Sequence, residues 1–346
     1  MAKNVLILLL PFLLAAGPAV ASTEALGAGA SFPAPVYQQW AKSFGSSQKI
    51  TINYDSVGSG EGVKRISGRQ VDFGASDAAL SNEELRKLGL IQIPTLIGGI
   101  VPVVNLPGVP AGSLRLTGDV LARIYLGKIG AWDHPDIRAL NPSLSLPRLP
   151  IQRVVRSDNS GSTKSYTAYL SSASPQWSAA VGAQALPKWP AEVVAAKGSE
   201  GVRDAVAKTP GALGYIGYNY VAKDRLNGVQ LRNRSGRFVA AGEAAFAEAV
   251  NASGMRDSVS GPVSLIDQEG AGSWPITETT YVLFERQPRD RERAKAALKF
   301  FFWAFQQGDD MARNTGFIPL PTQIQSRAIR LFSEVRDGNG GALNFF

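Results

Sequence analysis

No cysteine occurs anywhere in the 346 residues, and there is one histidine, His134. Without thiols the chain can form no disulfide framework, thiolate zinc site, iron–sulfur cluster or CxxC redox pair, and it has no thiol nucleophile. One imidazole cannot make a His-rich metal site, and a Ser-His-Asp triad would have to use His134. Solenoid-type repeats and low-complexity tracts are absent too. No Walker A loop is present, because Gly58 to Lys64 lacks the four-residue gap and the Lys-Ser/Thr ending. GxGxxG is also missing from Gly27 to Phe32. What remains is the composition of a folded globular chain: 45% hydrophobic and 18% charged residues exclude disorder. The length allows roughly two domains, each with its own core.

The first residues read as an export signal. Lys3 supplies a positive start, Val5 to Leu14 is apolar apart from Pro11, and Ala19-Val20-Ala21 is a small-x-small cleavage site. The apolar run falls far short of the roughly 20 residues that span a bilayer. Residues 1–21 are therefore expected to be a cleaved signal peptide, with the mature chain starting at Ser22. No cysteine offers a lipid-anchor site, so the expectation is a free exported protein, periplasmic in a two-membrane bacterium. The net charge of +8, from 36 Lys and Arg against 28 Asp and Glu, is no argument for nucleic acid, because the basic residues are scattered. The densest stretch, Arg286 to Lys299, is interleaved with Asp290 and Glu292. It runs into Leu298, Phe300, Phe301, Trp303 and Phe305, the pattern of a solvated helix face backed by a buried one.

Strand-like and helical patterns alternate along the chain. Ile50 to Tyr54 is β-rich, Val63 and Ile66 start a short helix, and Val71, Phe73 and Ala75 alternate as a strand. Ser81, with Glu83 and Glu84 behind it, opens another helix. Ile91 to Val104 is apolar and β-branched. This predicts α/β layers with mixed sheets flanked by helices.

Three small, hydroxyl-rich segments each feed a helix. Gly27 to Pro35 precedes Val36, Tyr37, Trp40, Ala41 and Phe44 at helical spacing, with Pro33 and Pro35 suited to a first turn. Gly58 to Gly62 precedes Val63 and Ile66. Arg156 to Thr163 precedes Tyr166, Tyr169 and Leu170. A helix N-terminus leaves N–H donors unpaired and carries partial positive charge. Glycines permit close approach of a ligand, and Ser31, Ser59, Ser160 and Ser162 add hydroxyls. One such segment is ordinary capping. Three, one of them with an arginine, point to a bound oxyanion.

Over essentially its whole length after the leader, the chain resembles the periplasmic phosphate-binding proteins of bacterial phosphate ABC transporters, the PstS type. GAGASFPAPVYQQW is similar to that family's GAGATFPAPVY. NYDSVGSGEGVKRI, VDFGASDAALS, IQIPTLIGGIVPVVNLPG, IYLGKIGAWDHPDI, VVRSDNSGSTKSYTAYL, PGALGYIGYNY and SWPITETTYVLF follow in the family's order. The resemblance implies a two-lobed periplasmic-binding-protein fold of type II-like form with a hinged cleft. Residues 22–104 plus 281–346 would form one lobe and residues 105–280 the other.

The resemblance also implies the ligand set. Ser31, at a position usually Thr, and the backbone N–H of Phe32 would bind phosphate. So would Ser59, Asp77, Arg156, Ser160, Gly161 and Ser162, while Asp158 holds Arg156 without touching the ligand. No cofactor and no metal are implied. The partners would be inorganic phosphate and an ABC import permease of two transmembrane subunits with its ATPase, and the protein itself would be a monomer. Asn159 and Ser162 depart from the family's Gly and Thr, and Glu61 lies beside the ligand loop, where a first-turn carboxylate is expected to face water.

Asp77 would then select the ligand. Near neutral pH phosphate keeps a proton and sulfate has none. An ionised carboxylate only accepts, so it pairs with P–OH and repels a bare sulfate oxygen. Two other classes compete with a transport receptor: a secreted phosphomonoesterase, and an interaction or adhesion protein on the same fold. Against the first, His134 sits in a turn-like WDHPD segment and the serines have no evident base. Against the second, Asp77 and Arg156 are intact.

Overall fold

The computed structural model describes residues 24–256 and 262–345. The expected leader and the start at Ser22 lie outside the described residues. From Glu24 the alternation read from the sequence is realised as β1 (Glu24–Gly29), α1 (Ala34–Gln48), β2 (Thr51–Ser56), α2 (Ser59–Ser67), β3 (Phe73–Ser76), α3 (Asn82–Leu88) and β4 (Leu90–Val104). Pro33 caps α1 and Pro35 lies in its first turn, where no N–H is needed. Val36, Tyr37, Trp40 and Phe44 are its buried face. Lys49 ends it in the left-handed region, at φ 60°, with its N–H on Gly45 C=O. α3 opens with a full capping box: Ser81 Oγ accepts from Glu84 N–H and the Glu84 carboxylate accepts from Ser81 N–H.

The middle of the chain supplies β5 (Arg115–Leu116), α4 (Gly118–Tyr125), α5 (Pro135–Leu140), β6 (Gln152–Arg156), α6 (Gly161–Ala173), α7 (Pro175–Ala180), β7 (Val194–Ala196), α8 (Gly198–Lys208), β8 (Ala212–Gly217) and α9 (Tyr218–Asp224). There follow β9 (Asn227–Gly228), β10 (Gln230–Arg232), β11 (Phe238–Val239) and α10 (Glu243–Ala252). The chain then returns with β12 (Thr277–Glu285), α11 (Arg291–Gln307), α12 (Asp309–Asn314), β13 (Ile318–Pro319) and α13 (Thr322–Leu331).

β4 joins two lobes. Its first part, from Leu90 to Gly99, pairs antiparallel with β12. Its last part, from Ile100 to Val104, pairs antiparallel with β8. On one side the order continues β12, β3, β1, β2, with β1 parallel to both β2 and β3. On the other it continues β8, β6, β7, with β6 parallel to both neighbours. The sheets are mixed, as predicted. β4 is apolar because both of its faces are covered, which leaves only Gln92 and Pro94 short of full burial. In the first lobe Tyr37 and Phe44 of α1 meet Phe300, Phe301 and Trp303 of α11 over Phe73, and Trp40 stacks on Tyr37. In the second, Tyr125, Tyr166, Tyr215 and Trp189 form an aromatic stack around β8. Each lobe thus has its own aromatic core, and the ends of β1, β3, β6 and β8 meet between them.

Candidate anion-binding site

All the residues predicted for the site come together where the strands end and the helices begin. Ser31 follows β1 and is buried. Its Oγ lies 2.9 Å from Ser199 Oγ and accepts from Ser199 N–H at 3.2 Å, at the start of α8. Phe32 packs edge-on against Phe317. Its ring fills the space beside two glycines: a Cβ at Gly98 of β4 would stand 2.7 Å from the ring, and one at Gly217 would stand 2.5 Å from it. The carbonyls of Ser31 and Phe32 accept from Tyr220 Oη and Asn219 Nδ2, so the β1–α1 turn of the first lobe is bound to the β8–α9 corner of the second.

Ser59 is the first residue of α2, after Gly58 at φ 95°. Its Oγ accepts from Asp77 N–H and from Gly161 N–H, each at 3.2 Å, and so bridges the lobes. Gly161 has no room for a side chain. A Cβ there would lie 2.6 Å from Asp77 Cβ and 2.7 Å from Ser59 Oγ. Ser160 caps α6 by accepting from Thr163 N–H, and Ser162 Oγ reaches Glu278 Oε1 at 3.5 Å. Arg156 ends β6. Its Nε and Nη2 both donate to Asp158, which also accepts from Gly198 N–H at 3.0 Å. That two-pronged pairing fixes the plane of the guanidinium and leaves Nη1 for another acceptor.

Four helix starts, those of α1, α2, α6 and α8, therefore converge with their donors around two carboxylates and one guanidinium. Such a cluster suits an oxyanion. Among the described residues no group of three or more His, Asp or Glu side chains is placed to hold a metal ion.

The electrostatics are set by burial. Asp77 is buried and its pKa is pushed up to about 7. Loss of water raises it, and the Thr280 hydroxyl, which donates to Oδ1 at 2.8 Å, pulls it back together with Arg156, Ser59 and Ser162. Burial also works to raise Asp158, but the Arg156 hydrogen bonds and charge outweigh it and hold that carboxylate below its ordinary value.

The departures in the loops have local explanations. Asn159 does not adopt a left-handed backbone. Its carbonyl accepts from Gly60 N–H at 3.0 Å, and its side chain packs where a Cβ of Gly60 would otherwise stand. Glu61 faces outward as expected, paired with Arg65 and Lys64. His134 caps α5 by accepting from Asp136 N–H, and it is only half-buried.

Several residues of the cluster were not anticipated. Gly198-Ser199 before Val202 and Val206 repeats the small, hydroxyl-bearing pattern of the other three helix starts, so the signal was in the sequence. Thr280, Glu278 and Tyr220 carried no local signal.

Comparison with known proteins follows the same lines. The profile of the PBP superfamily domain matches residues 15–307. The phosphate-binding protein PstS of Haemophilus influenzae is 40% identical over 309 residues, covering 89% of this chain and 92% of that one. The phosphate-binding protein PstS of Xylella fastidiosa is 39% identical, covering 88% and 83%. Among solved structures, the phosphate-binding protein of Stenotrophomonas maltophilia superposes with a TM-score of 0.72 at 22% identity, covering 93% of this chain and 97% of that one, a likeness of fold. With a relative at that identity over nearly the full length of both chains, and with the two-lobed architecture in place, the chain belongs to the PstS family of phosphate-binding proteins within the PBP superfamily.

Proposed function

We propose that the protein binds inorganic phosphate between its lobes and hands it to an ABC import permease. The observation that carries this is Asp77, a buried carboxylate that accepts from Thr280 Oγ1 and has Arg156, Ser59 and Ser162 around it. An oxyanion would be bound by Ser31, the N–H of Phe32, Ser59, Arg156, Ser160, Gly161 and Ser162. Asp77 adds one acceptor that only a protonated oxyanion can satisfy. Asp158 acts at one remove by orienting Arg156.

The lobes are taken as residues 22–104 with 281–346 and residues 105–280. What supports two lobes is β4, whose partners change from β12 to β8 between Gly99 and Ile100; by that pairing the crossover lies at Gly99–Ile100, and Thr277–Thr280 of β12 go with the first lobe's part of β4. These crossing segments would be the hinge, and ligand-driven closure would be the state the permease recognises. The permease is taken to be two transmembrane subunits with an ATPase, and the receptor a periplasmic monomer released from its leader after Ala21. The PstS relatives are named as binding proteins, and membership of their family makes this chain a transport receptor and not an enzyme.

The test is direct. Bound ligand is removed by unfolding and refolding, and phosphate and sulfate are titrated separately by calorimetry. Phosphate should bind with a one-to-one stoichiometry and sulfate should give no heat. Equal binding of both would show that Asp77 is not the discriminating group, and no binding of either would end the receptor reading.

A further inference from the structure

The cleft contains a second buried carboxyl. Glu278 is 4% exposed and lies on β12, in the run Thr277-Glu278-Thr279-Thr280, all of it buried. Side chains two apart on a strand share a face. Glu278 therefore points to the same side as Thr280, whose hydroxyl holds Asp77, and stands roughly 7 Å along the strand from it. There it meets the first turn of α6. Ser162 Oγ approaches Oε1 at 3.5 Å, while Oε2 is buried with no hydrogen-bond partner.

The charged and hydroxyl groups that face Glu278 are Asp77 at the end of β3, Arg156 at the end of β6, and Ser162 and Ser165 on α6. The guanidinium is already matched by Asp158, which leaves Asp77 as the uncompensated charge. Burial, and then the negative charge of Asp77, push the Glu278 pKa well above its ordinary value. Of the two buried carboxyls, Asp77 has the short hydroxyl donor and Glu278 has the bare oxygen, so Asp77 carries the charge and Glu278 the proton.

We propose that Glu278 is a further specificity residue of the cleft, a neutral carboxylic acid whose Oε2–H donates a hydrogen bond to the bound phosphate beside Ser162. This rests on the reading of the cleft as a phosphate site. The cleft then presents the anion with one carboxylate that accepts and one carboxylic acid that donates. Two ionised carboxylates facing a phosphate dianion in a desolvated space would oppose binding. A neutral Glu278 removes one of those charges and supplies a donor in its place.

The acid works only while it keeps its proton, which gives the experiment. Phosphate affinity of the whole mature protein is measured by calorimetry from about pH 6 to about pH 10, above the ordinary carboxyl range. The measurement is made for wild type, Glu278→Gln and Glu278→Leu, each checked for folding by its thermal transition. Gln keeps an N–H donor that cannot ionise, and Leu keeps the volume and loses the donor. The wild type should lose up to about tenfold in affinity per pH unit beyond what Glu278→Gln loses once the acid ionises. In that range it should also take up about one proton more per phosphate, read from the heats in buffers of different ionisation enthalpy. Glu278→Leu should bind at least about tenfold more weakly than Glu278→Gln at the acid end. Parallel pH profiles for wild type and Glu278→Gln, or equal affinities for the Gln and Leu variants, would overturn the inference and leave phosphate binding intact. A wild-type protein that binds no phosphate at any pH would remove the receptor reading itself and this inference with it.

Discussion

Asp77→Asn is the change that isolates the selectivity of the cleft. In the wild type Thr280 Oγ1 donates to Asp77 Oδ1 at 2.8 Å. An asparagine would keep its Oδ1 on that hydroxyl, since a donor cannot face a donor, and this fixes the amide so that Nδ2 turns toward the ligand. The position changes from an acceptor to a donor with almost no change of shape. A site that demands one hydrogen bond rejects an analogue lacking it by about 10⁴- to 10⁵-fold, or roughly 5.5–7 kcal/mol at 1.4 kcal/mol per decade. For sulfate the penalty of two opposed acceptors disappears in the variant. Phosphate exchanges one charge-assisted hydrogen bond, P–OH to the carboxylate, for another, Nδ2–H to an anionic oxygen, each about 1.5–3 kcal/mol, so its affinity should change by about tenfold or less. The gap between the anions should therefore shrink from four or five decades to about two or fewer. Calorimetric titration of the ligand-free variant with each anion measures both terms. If sulfate stays unbound by a correctly folded Asp77→Asn protein, discrimination does not reside in this carboxylate, and shape or the other donors must exclude sulfate.

Other consequences follow from the same contacts. Arg156→Lys keeps the charge and loses the fork that pairs with Asp158 through Nε and Nη2. One charge-assisted bond is worth about 1.5–3 kcal/mol, so phosphate affinity should fall about 10- to 100-fold by calorimetry; unchanged affinity would mean the guanidinium is only a structural partner of Asp158. Gly161→Ala puts a methyl group 2.6 Å from Asp77 Cβ and 2.7 Å from Ser59 Oγ, on the opposite lobe. Phosphate affinity should drop by at least about tenfold, the cost of overpacking by one methyl, and the melting temperature of the ligand-free protein should fall as well, because Asp77 is buried against this glycine there. An unchanged affinity would show that the contact is not part of the binding-competent state. For pH, the raised Asp77 pKa of about 7 fixes the sign. The folded state keeps a proton that the unfolded chain gives up near its ordinary carboxyl value. That contribution is complete at acid pH and is lost as pH rises toward about 7. The melting temperature of the ligand-free wild type, relative to Asp77→Asn, should decline over that interval; a rising difference would contradict the burial of Asp77.

How much of this was visible in the sequence depends on how local each cause is. Ser81 and Glu84 cap a helix through contacts three residues apart, and α1 declares itself by Val36, Tyr37, Trp40 and Phe44. The helix starts proposed to bind the anion are equally local, because a glycine or serine before a periodic apolar face is the whole signal. Ser199 was as readable as Ser59. Glu278 was not, because Thr-Glu-Thr-Thr inside a β-branched strand reads as one polar residue on a solvated face. It is buried because α6, more than a hundred residues away in sequence, lies across that face. The Asp77–Thr280 pair spans a still greater distance along the chain, 203 residues. Such pairings are fixed by the order of strands in the sheet, and no window of sequence contains them.

The charge balance of the cleft explains why it is built on hydrogen bonds. Arg156 is matched by Asp158, so in the proposed site the anion meets a guanidinium that is already paired, and Asp77 adds a repulsive charge. Affinity must therefore come from fixed N–H and O–H dipoles at four helix starts, which are strong only when water is excluded. The same dryness makes Asp77 costly in the ligand-free protein and raises its pKa. The carboxylate lowers affinity for every unprotonated anion and lowers it least for the one that brings a proton. A second ionised carboxylate at Glu278 would double that cost without adding selectivity, since Asp77 already accepts the ligand's proton. A neutral acid there adds a donor at no cost in charge, and so the cleft can contain both carboxyls and still bind an anion.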